Sequence, residues 1–322
     1  MPAYDHGRGG DELIPAAVRA RDLTGYGPEP PVFEWPDGSR VAINLVLVYE
    51  EGSEYSVVWG DDRNDGWGEQ PDPGVLPPQR DRGTESHYDY GSRAGVWRLA
   101  RIFDAADVPV TVSAAAVALE LNPPVVDWIR RRGHDVLGHG WRWLEHWEQT
   151  REEEREHLRR AIASYQRTLG FRPLGWNCRS WPSEATRELL IEEGGFLYDS
   201  DGYGDDVPYY TASGELRFLI VPYSKVFNDG HYLGSPGYSS PDDLLRTLVR
   251  GLDELAGEDR VSMMTAAFHA RWSGYPGRAS VAREFIEHAR RTPGVTFMRR
   301  DDIARWWHER YSETVAAQGG ET

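Results

Sequence analysis

The most informative segment of the chain reads Val41-Ala-Ile-Asn-Leu-Val-Leu-Val-Tyr49. It is a nearly continuous run of apolar and β-branched residues with the length of a single strand. Runs of this kind are typical of strands that are buried on both faces, which is the usual situation in parallel sheets. The segment therefore predicts a parallel sheet that is covered on both sides.

Strand-like and helix-like segments alternate after this first strand. Further apolar runs predict strands at residues 108–113, 135–138, 173–177, 196–198, 218–221, 261–268 and 295–298. Among the amphipathic segments between them, the clearest helix opens at Thr150, where Glu153 completes a capping box, and ends at Gly170. Repeated strand–helix units predict an α/β fold, and about seven such units favour a closed or partly closed parallel (β/α) barrel. No Gly-x-Gly-x-x-Gly turn follows the first strand to indicate a dinucleotide-binding sheet.

Three regions are predicted along the chain. Residues 1–40 are rich in Gly, Pro and charge and predict an N-terminal arm, residues 41–311 predict a single barrel domain, and residues 312–322 predict a C-terminal tail. A polar, proline-containing loop at about residues 60–85 is too long for a simple connection. We therefore expect that this loop is functional or forms an interface.

Composition excludes several classes of partner. The chain has 322 residues and a formal net charge of −16, so it repels nucleic acid and anionic membrane surfaces. No window of the sequence approaches the roughly 18 apolar residues that a membrane span needs. The single cysteine, Cys178, cannot form an internal disulfide, and nothing indicates an oxidising compartment. We expect a cytoplasmic protein that acts on a small molecule and has no nucleic-acid or membrane partner.

Candidate catalytic residues directly follow the predicted strands. In (β/α) barrels the active site lies at the C-terminal ends of the strands. Glu50 and Glu51 follow the first strand, His139 follows the strand at 135–138, and His269 ends the strand that begins near residue 261. A buried carboxylate can serve as a general base on water, and an imidazole can protonate a leaving nitrogen. The sequence predicts Glu50 or Glu51 as the base, His139 as its partner or an oxyanion donor, and His269 as the general acid.

Candidate substrate-binding residues are charged or aromatic side chains, most of which lie in or just after the predicted strands. Guanidinium groups can grip carbonyl oxygens or a carboxylate through two parallel hydrogen bonds, and indoles can wall a pocket and exclude water. The residues predicted for this role are Arg93, Trp143, Trp176, Arg179, Asp199 and Arg271.

Several longer stretches carry a family resemblance. They are Tyr49-Glu-Glu-Gly52, Tyr90-Gly-Ser-Arg-Ala-Gly95, Gly138-His-Gly140, Arg172-Pro-Leu-Gly-Trp176, Glu192-Glu-Gly-Gly-Phe-Leu-Tyr-Asp-Ser-Asp201, Val221-Pro-Tyr223 and Pro276-Gly-Arg278. With these stretches the chain resembles the polysaccharide-deacetylase superfamily from about residue 41 to residue 307, and within it the branch that contains the bacterial metal-independent allantoinases. The resemblance implies a distorted parallel (β/α) barrel, a hydrolase that acts on C–N bonds, and a homo-oligomer.

The resemblance also bears on metal binding. Deacetylases of the superfamily carry a Thr-Phe-Asp-Asp motif, whose first Asp is the base, and a His-x-x-x-His motif; the second Asp and both His bind zinc or another divalent ion. Here Glu50 and Glu51 fall on the Asp positions and His139 on the first His, but Trp143 stands at the second. Since catalytic zinc usually has three protein ligands, we expect no tightly bound metal. The alternative is a divalent metal such as zinc, held by Glu51, His139 and His146.

Three functions remain open at this point. The first is hydrolysis of a cyclic amide or ureide, such as allantoin, a hydantoin or an imide. The second is metal-dependent removal of an N-acetyl group from a sugar or another acetylated amine. The third is a barrel that binds a ligand without turning it over.

Overall fold

The computed structural model describes Pro15, Val18 and residues 21–67, 79–213, 216–234 and 237–318. The chain forms two compact units, Met1–Phe33 and Glu34–Thr322. In the described part of the first unit, the Asp22 side chain accepts hydrogen bonds from the backbone of Thr24 and Gly25. The first part of the predicted N-terminal arm, the middle of the predicted 60–85 loop and the end of the predicted tail lie outside the described residues. The predicted domain bounds stay a prediction.

The second unit is built on a mostly parallel sheet that curls into a half-barrel with flanking helices. Its strands are β1 (Val41–Tyr49), β2 (Thr111–Ala114), β3 (Asp135–Gly138), β4 (Gly175–Trp176), β5 (Tyr198–Asp199), β6 (Tyr209–Ser213), β7 (Leu216–Ile220), β8 (Ser262–His269) and β9 (Val295–Phe297). The strand order is β6-β7-β5-β4-β3-β2-β1-β8, and β9 pairs with the first three residues of β1. This arrangement confirms the predicted fold class.

Every predicted strand segment overlaps a strand, and the run at 41–49 is a strand over its whole length. All nine residues of β1 are buried, as its apolar sequence predicts. The strand that sequence reasoning missed is β6, which pairs antiparallel with β7. The described residues therefore contain nine strands where about seven strand–helix units were expected.

Nine α-helices are present in the described residues: α1 (Arg82–Tyr90), α2 (Val96–Ala106), α3 (Ala116–Leu121), α4 (Pro123–Arg132), α5 (Arg151–Leu169), α6 (Thr186–Glu193), α7 (Pro241–Gly257), α8 (Pro276–Arg291) and α9 (Arg300–Gln318). The predicted capping box of α5 is confirmed, since the side chains of Thr150 and Glu153 each accept a hydrogen bond from the other residue's backbone N–H. Each helix in the described part of the chain is too short or too polar to span a membrane.

A buried arginine ties the two sides of the half-barrel together. Arg300 opens α9 and has no exposed surface. Its guanidinium donates to five oxygen atoms on residues from several strands and strand ends: Asn44 Oδ1, Ser200 Oγ, Val221 O, Pro222 O and Thr265 Oγ1. The opening between the β7 and β8 sides of the sheet is also crossed by an isolated bridge from Asn228 to Ala267 and by hydrogen bonds from Met263 N–H to Asp206 O and from Thr265 Oγ1 to Pro222 O. Arg300 therefore spans the opening of the sheet with side-chain hydrogen bonds.

The parallel register brings the candidate residues to one edge. Val48 of β1 pairs with His269 of β8, while Tyr49 pairs with Ala114 of β2, which in turn pairs with Gly138 of β3. The residues that follow β1 and β3 and the last residue of β8 are consequently neighbours at the C-terminal edge of the sheet.

Candidate active site

Glu50 lies at the centre of a buried cluster beyond β1. Its carboxylate is 1% exposed. Oε1 lies 3.0 Å from His139 Nε2, and Oε2 lies 2.5 Å from Arg271 Nη1. Burial by itself raises the pKa of the Glu50 carboxyl. The guanidinium of Arg271 and the imidazoles of His139 and His269 outweigh burial and hold this pKa far below its usual range. Glu50 is thus a fixed negative charge.

His139 is held on both ring nitrogens. Nδ1 lies 2.7 Å from the backbone oxygen of Asn177, while Nε2 faces the Glu50 carboxylate. Both partners are acceptors, and an imidazole donates from both nitrogens only when it is protonated. The two contacts lock the His139 ring in place beside Glu50.

His269 has one nitrogen held and one nitrogen facing the cluster. Its Nδ1 lies 2.6 Å from Asp229 Oδ1, and its backbone N–H donates to Asp229 Oδ2 at 2.8 Å. Its Nε2 lies 3.9 Å from Glu50 Oε1, which is too far for a direct hydrogen bond. Asp229 thus fixes the ring and leaves Nε2 able to exchange a proton with a small group that lies between it and Glu50.

Sequence reasoning did not find Asp229. It is fully buried in a 3₁₀ turn, Asp229–Tyr232, that lies 40 residues before its partner His269. The Asn228 side chain caps this turn, so the local pattern Asn-Asp-Gly resembles an ordinary loop. A buried carboxylate beside a strand-end histidine is visible only after the chain has folded.

Glu51 points away from the His139 side of the site. Its Oε2 accepts the backbone N–H of Glu50 at 2.8 Å, and its Oε1 packs so closely over Gly91 that a Cβ at that position would overlap it. Burial, together with the charge of Glu50, raises the pKa of Glu51 to about 8 in spite of the nearby Arg271. Of the two adjacent glutamates, Glu50 is therefore charged, whereas Glu51 is neutral below pH 8.

Arg271 connects the charged cluster to an aromatic wall. Its guanidinium carbon lies 4.2 Å from the ring centre of Trp272, 4.7 Å from that of Tyr88 and 4.9 Å from that of Trp143. The guanidinium of Arg179 lies 3.6 Å from the same Trp143 ring. Of the predicted substrate-binding residues, Trp143, Arg179 and Arg271 therefore come together beside Glu50.

The other three predicted substrate-binding residues lie apart. Arg93 is exposed on the π-helical turn Gly91–Gly95 that joins α1 to α2. Trp176 is in the core, with its ring centre 5.8 Å from that of Phe196. Asp199 is buried and pairs with Arg187 Nε at 2.7 Å. The position of a residue in the sequence does not determine the direction of its side chain. No contact among the described residues supports a substrate-binding role for these three.

The three residues named as alternative metal ligands, Glu51, His139 and His146, each bond to other protein groups. Glu51 bonds to the backbone, and both nitrogens of His139 are engaged. His146 bonds instead to Glu154, with Nδ1 at 2.9 Å from Oε1. In the described part of the chain, no group of three or more His, Cys, Asp or Glu side chains is arranged to hold a metal ion. The donor set does not fit a catalytic zinc.

Comparison with known proteins finds a matching family model and a similar relative. The family model for polysaccharide deacetylases matches residues 79–183. A protein of Schizosaccharomyces pombe that is named as a polysaccharide deacetylase is 33% identical over 317 residues, which cover 90% of this chain and 98% of the relative.

Two crystal structures are also similar over most of the chain. One, of a Pseudomonas aeruginosa protein named as a polysaccharide deacetylase, is 39% identical with a TM-score of 0.86. The other, of PuuE allantoinase, is 38% identical with a TM-score of 0.86. Each of the two similarities covers 90% of this chain and 98% of the other.

Proposed function

The chain belongs to the polysaccharide deacetylase family, and from that premise we propose that it is a hydrolase that opens a cyclic amide or ureide, such as allantoin, a hydantoin or an imide, at a C–N bond. The similarity to an allantoinase at 38% identity supports this substrate class. The observation that carries the proposal is the arrangement of His269 Nε2 and Glu50 Oε1, which lie 3.9 Å apart and are each held from behind by another residue.

The first part of the proposed mechanism is activation of water. A water molecule that donates hydrogen bonds to both His269 Nε2 and Glu50 Oε1 is held with its lone pairs free to attack the substrate carbonyl carbon. His269 Nε2 takes a proton from this water as the new C–O bond forms. Glu50 orients the water but is a poor base, because Arg271 and the imidazoles hold its pKa low. This assignment differs from the expectation that Glu50 or Glu51 acts as the base.

The second part is collapse of the tetrahedral intermediate. Arg271, whose Nη2 has no hydrogen-bond partner in the described structure, would stabilise the negative charge that develops on the carbonyl oxygen, while His139 holds Glu50 in place. The C–N bond then breaks, and His269 returns its proton to the leaving nitrogen. The ring opens to a carboxylic acid, which keeps the second proton of the water, and to an amine or amide N–H; the acid then loses that proton to solvent and leaves as a carboxylate.

We also propose that the reaction needs no tightly bound metal. Trp143 occupies the position of the second metal-binding histidine, and its indole packs against the guanidinium of Arg179 at 3.6 Å. The cation nearest to the carboxylate of Glu50 is the Arg271 guanidinium. The side chains of the cluster are thus already paired with each other, which supports acid–base catalysis by protein groups alone.

A second candidate function is metal-dependent de-N-acetylation. The names of the Schizosaccharomyces pombe and Pseudomonas aeruginosa relatives favour it. The two candidates differ in product, since de-N-acetylation releases acetate and ring opening does not. They also differ in metal dependence.

A substrate panel separates these candidates. Purified protein, dialysed against a chelator, is incubated with allantoin, hydantoin, succinimide and N-acetylglucosamine, and the products are identified by nuclear magnetic resonance. We expect ring opening of at least one cyclic substrate, with a rate that added zinc leaves unchanged. Acetate release that depends on added zinc would favour the second candidate, and binding without turnover would favour a non-catalytic barrel. The Glu50→Gln variant serves as the inactive control.

We propose further that the enzyme acts in the cytoplasm as a homo-oligomer. The acidic composition and the single cysteine support the compartment, and the family resemblance supports the assembly. Sedimentation equilibrium of the purified chain tests the assembly, and a monomer at micromolar concentration would contradict it.

A further inference from the structure

A cavity of about 410 Å³ lies between the two helices α2 and α8. Four arginines and one glutamate line it above an apolar floor: Arg98, Arg101, Arg283, Arg290 and Glu287. The chain as a whole has a formal net charge of −16, so a cluster of four guanidinium groups runs against its composition. The cavity is therefore cationic in an acidic protein.

Helix geometry brings the arginines together in two rows. Arg98 and Arg101 are three residues apart on α2, and Arg283 and Arg290 are two turns apart on α8, so each pair lies on one face of its helix. The backbones near the start of both helices touch, because a Cβ on Gly95 would overlap the backbone of the loop that precedes α8. This close approach fixes the two rows on opposite sides of one cavity.

The cavity is separate from the candidate active site. Its lining reaches the last residue of α2, Ala106, and Arg290 near the end of α8. Helices that join parallel strands run back from the C-terminal edge of the sheet to its N-terminal edge. None of the lining residues belongs to the cluster around Glu50. An inference about this cavity therefore does not depend on the proposed function.

The two outer arginines are held by uncharged acceptors. Arg98 Nη1 donates to Tyr90 OH at 2.7 Å and to the backbone oxygen of Gly274. Arg290 Nη2 donates to the backbone oxygen of Ala106, the last residue of α2. These contacts fix the two guanidinium groups without neutralising their charge.

The two inner arginines, Arg101 and Arg283, are exposed and form no hydrogen bond or ion pair within the described part of the chain. Elsewhere on the surface, Arg151 pairs with Glu188 and Glu192 on a neighbouring helix. A lone exposed arginine needs only water, but cations that are held around one cavity repel each other. An anion bound between the two rows would remove this repulsion.

The lining also describes the kind of anion that fits. A phosphate monoester carries about −1.5 to −2 charges and three strong acceptor oxygens, so it can accept from guanidinium groups on both rows. A carboxylate offers two oxygens and one charge, which a single arginine already matches. The side chains of Ile102 and Ile286 are buried in the floor, where they can pack against an apolar ring. The volume lies within the range of roughly 300–1,000 Å³ that is usual for small-molecule sites.

We infer that the cavity between α2 and α8 binds a small phosphate monoester. Arg101 and Arg283 contact the phosphate from opposite sides, and the organic part of the ligand lies on the floor formed by Ile102 and Ile286. The site is additional to the one that carries the proposed hydrolysis.

The inference is tested by isothermal titration calorimetry of the full chain at low ionic strength, where charge interactions are least screened. The probes are adenosine 5′-monophosphate and phenyl phosphate, and the matched neutral probe is adenosine. We expect adenosine 5′-monophosphate to bind about tenfold more tightly than adenosine or better, and the Arg101→Gln/Arg283→Gln double variant to lose about tenfold or more of its affinity for both phosphates. The control is Arg131→Gln/Arg159→Gln, which removes two exposed arginines from α4 and α5 and changes the net charge equally.

Melting temperatures show whether the variants are folded. Since Arg101 and Arg283 have no partner in the described structure, their replacement should leave the melting temperature unchanged, while adenosine 5′-monophosphate should raise that of wild type. Absence of binding by both phosphates would overturn the inference, and so would equal binding of adenosine or an equal loss of affinity in the control. A double variant that sediments as a smaller assembly than wild type would assign the cavity to a contact between copies of the chain, and would also overturn it.

Discussion

At the scale of single residues, Glu50 and Glu51 show how adjacent carboxyls acquire different roles. Successive residues at a strand end point in opposite directions, so Glu50 meets Arg271 and His139 while Glu51 packs over Gly91. The guanidinium keeps Glu50 ionised, and burial keeps Glu51 neutral below pH 8. The proposed mechanism uses Glu50 as a fixed charge, and Glu51 takes part in none of its steps.

Glu51→Gln tests this separation through the pH dependence of stability. The pKa of Glu51 is about 8 in the folded protein and 4.5 as a free group, so the folded form holds its proton longer than the unfolded form. Its contribution to stability is fully present below pH 4.5 and is lost as the pH rises through 8. As the pH rises from 5 to 8, the free energy of unfolding of wild type should therefore fall relative to that of Glu51→Gln. The fall should be at most about 1.4 kcal/mol per pH unit. Urea denaturation at pH 5, 6, 7 and 8 measures the difference.

The control for this experiment is Glu184→Gln, which changes an exposed glutamate. Its free energy of unfolding should differ from that of wild type by the same amount at every pH. If Glu51→Gln also shows a constant difference, Glu51 is already ionised in the folded protein at the lower pH, and the separation of the two carboxyls is wrong.

At the scale of helices and strands, local pattern predicted some elements and not others. The apolar run of β1 and the capping box of α5 were sufficient to place both elements. Helix α1 (Arg82–Tyr90) was missed because it is polar and begins within the predicted 60–85 loop. Asp81 nevertheless caps it by accepting hydrogen bonds from the backbone N–H groups of Gly83 and Thr84. Strand β6 was missed because its place in the sheet depends on β7 and not on its own sequence.

Arg300 is the side chain at this scale whose loss should cost most. It donates to the Val221 and Pro222 carbonyls on one side of the sheet opening and to Thr265 on the other. Arg300→Met removes these donors and leaves their acceptors buried, so we expect a loss of at least about 3 kcal/mol in the free energy of unfolding. Urea denaturation measures the loss, with Arg305→Met on the same helix as the control, since the Arg305 side chain is 53% exposed. A loss within about 1 kcal/mol of the control would show that Arg300 does not join the two sides.

At the scale of the whole molecule, parallel topology explains why the centre of the site could be predicted from sequence. Residues that follow parallel strands reach the same edge of the sheet, and for that reason Glu50, His139 and His269 converge. The same argument fails for Asp199, whose side chain turns towards Arg187, and for Trp176, which faces the core. Asp229 lies in a loop without a repeating pattern, so only its burial in the folded chain marks it.

The turnover number of His269→Ala on a cyclic ureide tests the central claim most directly. If His269 moves the proton between water and the leaving nitrogen, its removal should lower the turnover number by about a hundredfold or more in a correctly folded protein. His288→Ala is a matched control, because His288 also pairs with a carboxylate, that of Asp253 at 2.6 Å, but lies on the surface, and it should turn over at the wild-type rate. A folded His269→Ala enzyme that keeps a near-wild-type turnover number would contradict the account.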